Sequence, residues 1–79
     1  MFTLLGIFLS LTMITGKITK YDQQKGNGMI QTPQDGEIFF RKRSIENLRN
    51  QSLTVGQLMG FVIVEGKYGP QAAHIKVIN

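Results

Sequence analysis

The chain reads as an all-β domain, a small closed barrel of five strands. Three observations predict this. Apolar residues alternate with polar ones instead of recurring at helical spacing: Ile14, Gly16 and Ile18 interleave with Thr15, Lys17 and Thr19, the period of a half-buried strand. Turn chemistry then interrupts the chain at short intervals, most clearly at Pro33-Gln34-Asp35-Gly36 and Gly66-Lys67-Tyr68-Gly69-Pro70. Finally, 79 residues without a cysteine must fold by apolar packing alone. Closing a sheet so small removes the exposed edges that would otherwise pair with other chains.

Taken in order, the first strand starts near Met13 and Ile14, and Tyr21 to Gly26 reads as a turn. Gly28 to Thr32 is a second strand. The next turn has proline early and Asp-Gly late, which suits its backbone angles. Glu37 to Arg41 is a third strand, in which period two puts Ile38 and Phe40 on one face and Phe39 on the other. Ser44 to Leu48 suggests one helical turn capped by Ser44, and Arg49 to Gly56 is polar and loop-like. Leu58 to Glu65 is a fourth strand, with Phe61 and Ile63 on one side and Val62 and Val64 on the other. Gln71 to Ile78 is the fifth.

Composition excludes several function classes. Absent cysteine and a single histidine, His74, rule out thiolate and multi-imidazole metal sites. The acids Asp22, Asp35, Glu37, Glu46 and Glu65 are scattered over turns and strand ends. No paired carboxylates, serine–histidine–acid set or phosphate-loop spacing is present, so no enzyme, cofactor or metal is expected. His74 is expected to be structural or exposed. The net charge of +4, all of it carried after position 16, favours an anionic partner.

Residues 1–12 differ in kind. They are uncharged and mostly apolar, too short to span a bilayer, which takes about 20 residues, and without the basic start of a signal peptide. The simplest reading starts translation at Met13 and makes 13–79 the folded domain. The rival readings are an extension that adds a strand or seals a homodimer, and a weak membrane-surface anchor.

Two pieces carry the functional signal. Lys25-Gly26-Asn27-Gly28-Met29-Ile30 sets two glycines around a strand start just after a lysine. Glu37-Ile38-Phe39-Phe40-Arg41-Lys42 is a strand running into three cations, Arg41, Lys42 and Arg43. On neighbouring strands these pieces make a cationic face with little aromatic character, the outline of a site that tracks a single-stranded nucleic-acid backbone. The plainer reading of the cations is a solvated turn. Gly28 fits close backbone packing better than ligand approach.

From about Gly16 to Lys76 the chain resembles a cold-shock domain. The likeness rests on Gly16-Lys17-Ile18, Lys25-Gly26-x-Gly28-x-Ile30, Asp35-Gly36, Ile38-Phe39, Ser44-Ile45, Leu53-x-x-Gly56-Gln57, Phe61-x-Ile63-Val64-Glu65-Gly66 and Gly69-Pro70-Gln71-Ala72-Ala73. That resemblance implies an antiparallel OB-type barrel and a cytoplasmic protein that binds single-stranded RNA or DNA. It also exposes departures. Where the family reads Lys-Gly-Phe-Gly-Phe-Ile, Asn27 and Met29 replace both phenylalanines. Where it reads Val-Phe-Val-His-Phe, Arg41 and Lys42 replace the histidine and the last phenylalanine. Lys20-Tyr21 stands for a Trp-Phe pair, and Asn50 for a further loop phenylalanine.

Matching positions make Lys17, Lys20, Tyr21, Lys25, Asn27, Met29, Phe39, Arg41 and Lys42 the candidate binding residues. Only Phe39 and Tyr21 keep an aromatic ring there, and Tyr21 reads equally well as a half-buried residue at the barrel edge. Each base–aromatic stack is worth roughly 1–3 kcal/mol, so losing several shifts the balance toward charge. The expected function is RNA-chaperone-like single-strand binding, weaker and more salt-sensitive than in aromatic-rich members. The alternative is a protein-interaction or self-association module with little nucleic-acid binding.

Overall fold

Ile18, Ile30, Ile38, Phe40, Met59, Phe61, Ala72 and Ile75 bury themselves in one cluster, and their alternation along the chain dictates the sheet around it. The computed structural model describes residues 13–49 and 52–78. Its strands are β1 (Ile14–Asp22), β2 (Asn27–Thr32), β3 (Gly36–Arg41), β4 (Leu58–Gly66) and β5 (Gly69–Val77). They close into a barrel in the order β1-β2-β3-β5-β4. Neighbours run antiparallel, except that β3 meets β5 in parallel, Phe39 opposite Gln71. That contact shuts the sheet on itself. Residues 1–12 and Asn50, on which several sequence readings fall, lie outside the described residues.

Phe40 and Phe61 are fully buried, and removing a side chain of this size from water contributes about 1.5–3 kcal/mol. The parity expected for β3 holds: Ile38 and Phe40 face the core while Phe39 is only half-buried. The β2–β3 turn is tied by the buried Thr32. Its Oγ1 donates to the Gly36 carbonyl at 3.1 Å and accepts from the Asp35 N–H at 2.8 Å.

Two local expectations change. The turn expected over Tyr21–Gly26 begins later, because β1 continues to Asp22. Its pairing slips by one residue between Ile18 and Lys20, a bulge that lets Lys20, Tyr21 and Asp22 go on pairing with Met29, Gly28 and Asn27. The Asp22 carboxylate then closes the turn by accepting from the N–H groups of Gln24 and Lys25 at 3.0 and 3.1 Å. The helical turn expected over Ser44–Leu48 is a single 3-10 turn at Lys42–Ser44 instead, with no side-chain cap. Tertiary contacts override the cap signal there. Ile45 bridges to Ile75, and the Glu46 N–H donates to the Ile75 carbonyl at 2.7 Å, which pulls Ile45 and Leu48 into the core.

Candidate nucleic-acid interface

Register decides which side chains share the outer face. Across β1, β2 and β3, Lys20 stands opposite Met29 and Met29 opposite Phe39. Directly opposed residues on one face are near enough to act together. A second outward row is Asp22, Asn27 and Arg41, and a third is Lys17, Gln31 and Glu37. Lys17 and Lys20 are three apart, so strict alternation would put them on opposite faces. The bulge at Thr19 adds the residue that returns both to one face. The structure thus brings together Lys17, Lys20, Asn27, Met29, Phe39 and Arg41.

Tyr21 belongs to a different row, opposite Gly28, which itself pairs with Phe40. Its ring packs nearly parallel to Phe40, with centroids 6.1 Å apart and planes 12° from each other. Gly28 makes this possible. A Cβ there would collide with the Lys20 carbonyl oxygen and sit 2.9 Å from Phe40 Cε1. Gly28 therefore serves close packing between strands, and half-buried Tyr21 leans on the core.

Lys25 and Lys42 complete the set at one end of the face. The Lys42 N–H donates to the Gly26 carbonyl at 2.8 Å, which holds the β1–β2 turn against the end of β3. Between them lies an open groove of about 440 Å³ lined by Lys25, Gly26, Arg41, Lys42, Arg43 and Leu48. Among the described residues, none of these four cations forms a salt bridge. Lys20 differs, with its Nζ 3.9 Å from Glu37 Oε1. Glu37 is held in place by the Thr19 hydroxyl, which donates to Oε2 at 2.8 Å. The Arg41 guanidinium lies 5.3 Å from the centroid of the Phe39 ring, a cation–π contact that puts a flat charged group on the one aromatic of the row.

One residue that sequence reasoning left in a turn belongs beside this face. Tyr68, at the tip of the β4–β5 hairpin, is 87% exposed. It shares a cleft of about 230 Å³ with Phe39, Gly69, Pro70 and Gln71. Only the parallel closure of β3 on β5 joins these segments, and no local pattern announces it. Chemically, the whole arrangement offers phosphate-binding cations beside a thioether and a ring surface. His74 stands apart from it, exposed and 3.0 Å from Glu46 Oε2.

Comparison with known proteins places these features. The profile of the 'Cold-shock' DNA-binding domain family matches residues 14–78. A cold shock-like protein of Thermotoga maritima is 43% identical over 64 residues, covering 81% of this chain and 97% of the relative. The major cold shock protein CspA of Bacillus cereus is 36% identical over 62 residues, covering 78% of this chain and 92% of that protein. Among solved structures, Drosophila Unr CSD456 superposes with a TM-score of 0.73 at 16% identity. That match covers 92% of this chain and 30% of the longer one, and speaks for the barrel fold alone.

Proposed function

Because the chain belongs to the cold-shock domain family, a family of nucleic-acid-binding domains, we propose that it binds single-stranded RNA or DNA chiefly through charge. Lys25, Arg41, Lys42 and Arg43 hold phosphates along the groove at the end of β3. Lys17 and Lys20 extend that contact along β1. Phe39, with Arg41 against its ring, supplies the stacking surface, and Met29 a soft apolar contact beside it. Held this way, unpaired strands are kept from re-forming duplex, which is the work of an RNA chaperone and involves no bond making. The observation that carries the reading is the row Lys20–Met29–Phe39 ending beside a groove of cations that form no salt bridge among the described residues.

Relative to members that keep phenylalanines at Asn27 and Met29, affinity is lower and selectivity among bases weaker, since stacking contributes less and phosphates are alike in every sequence. Titration of a fluorescently labelled oligothymidine and an unstructured RNA of equal length tests this. The expected result is binding of both with similar affinity, and duplex of the same length bound more weakly. Absence of single-strand binding even at low salt would sink it.

A further inference from the structure

We propose that Tyr68 and Phe39 form the two sides of a slot for one unpaired nucleobase, so that the stacking surface missing from β2 is supplied by the β4–β5 hairpin. The inference rests on the single-strand reading above and adds to it a residue and a path. Among the described residues, Tyr68 is the most exposed large hydrophobic side chain, at 87%. The hairpin that carries it is tight. Gly66 and Gly69 pair directly across the hairpin, so Lys67 and Tyr68 alone form the tip. Gly69 holds φ +120° with open space where a side chain would stand, a conformation that glycine permits at no steric cost.

The cleft beside the ring is lined by Phe39, Tyr68, Gly69, Pro70 and Gln71. Its volume of about 230 Å³ falls below the roughly 300–1,000 Å³ of ordinary small-molecule pockets. That size suits a single flat ring whose sugar and phosphate stay outside. Phe39 and Gln71 are paired across the barrel closure, so the Phe39 side of the slot is set by the barrel itself and the hairpin carrying Tyr68 starts next to it. Lys67 Nζ lies over the Tyr68 ring, 5.6 Å from its centroid, so the hairpin tip also carries a cation that can pair with a phosphate. Gln71 brings both a hydrogen-bond donor and an acceptor to the cleft. The strand then runs from this slot across Phe39 to the cationic groove at Arg41 and Lys42. It crosses the sheet along β3 and does not depend on the altered β2 positions.

The test uses the full chain and three variants, Tyr68→Ser, Tyr68→Phe and Tyr21→Phe. Oligothymidine affinity is measured at several salt concentrations, beside inorganic polyphosphate as a polyanion without bases. Expected for Tyr68→Ser is a loss of roughly 5- to 150-fold for the oligonucleotide, with an unchanged salt slope and unchanged polyphosphate binding. Tyr68→Phe keeps the ring and keeps the affinity. The chain has two tyrosines and no tryptophan, so in Tyr21→Phe the tyrosine emission comes from Tyr68 alone and should be quenched as oligothymidine stacks on it. If the unaltered chain binds but Tyr68→Ser binds equally well, or the emission is unquenched at saturation, the slot is wrong and the charge-based reading stands. If Tyr68→Phe loses as much as Tyr68→Ser, the ring is not the contact and the slot is again wrong. Failure of the unaltered chain to bind any single strand overturns both readings.

Discussion

Replacing Lys42 and Arg43 by serine should both weaken binding and flatten its dependence on salt. Both side chains are exposed and line the groove with Lys25 and Arg41. The link that Lys42 makes to the fold is through its backbone N–H, to the Gly26 carbonyl, and serine keeps that bond. The proposed binding mode counts the four groove cations and Lys17 as phosphate contacts, since none of them forms a salt bridge among the described residues, and leaves out Lys20, whose Nζ lies 3.9 Å from Glu37 Oε1. About five phosphate contacts at about 0.7 per contact give a log–log salt slope near −3.5 for a single strand. Raising salt from about 50 to 200 mM should then weaken binding by about a hundredfold. With two contacts removed the slope falls to about −2, and the same change in salt costs only about twentyfold. Fluorescence anisotropy of labelled oligothymidine across that range measures both slopes. Equal slopes for the two proteins would show that phosphates do not enter the groove. A slope near zero for the unaltered chain would refute the charge-based account altogether.

Four further outcomes follow from the same geometry. Phe39→Ala should lower oligothymidine affinity by roughly 5- to 150-fold while circular dichroism still shows a folded barrel, because the ring is only half-buried; an unfolded variant would put Phe39 in the core. Asn27→Phe with Met29→Phe should raise single-strand affinity, by a few kcal/mol at most, since both residues stand in outward rows with Arg41 and Phe39; unchanged titrations would move the binding face elsewhere. Gly28→Ala should cost about 1–3 kcal/mol by overpacking against Lys20 and Phe40, seen as a Tm lower by roughly 4–8 °C per kcal/mol, and a Tm within error of the original would show that the strands separate easily there. A chain starting at Met13 should melt as the longer one does, because β1 already has partners on both sides in β2 and β4; a large drop in Tm, or a dimer becoming a monomer by light scattering, would make residues 1–12 part of the fold.

Period-two alternation was enough to find five strands and to set Ile38 and Phe40 on the face opposite Phe39, because burying alternate residues is the same physical demand in any sheet; which face points inward came from the cold-shock resemblance, and burial of Ile38 and Phe40 agrees with it. It could not find the bulge at Thr19. An extra residue in a strand leaves no compositional mark, yet this one decides that Lys17 and Lys20 share a face and that Tyr21 leans on Phe40. A serine ahead of Ile45 looked like a helix cap, but the bridge from Ile45 to Ile75 outweighs one capping bond, and that partner lies in the last strand. Tyr68 was hidden for a related reason. Its neighbour Phe39 is distant in sequence, and only the register of β3 against β5 makes them adjacent.

The position of Arg41 has a consequence for how such a face would work. Its guanidinium lies over Phe39, the place where a base would stack. An incoming base must either displace it or stack on it. Displacement gives up a cation–π contact of about 0.5–1 kcal/mol at an exposed site, against roughly 1–3 kcal/mol from the new stack. Stacking on the guanidinium keeps the cation–π contact and leaves the charge next to the base's own phosphate. Displacement reduces the net gain per base, and neither route reads base identity. Since affinity among related complexes is set mostly by the off-rate, the proposed binding mode implies quick release of strands, which suits loosening RNA repeatedly better than marking one sequence.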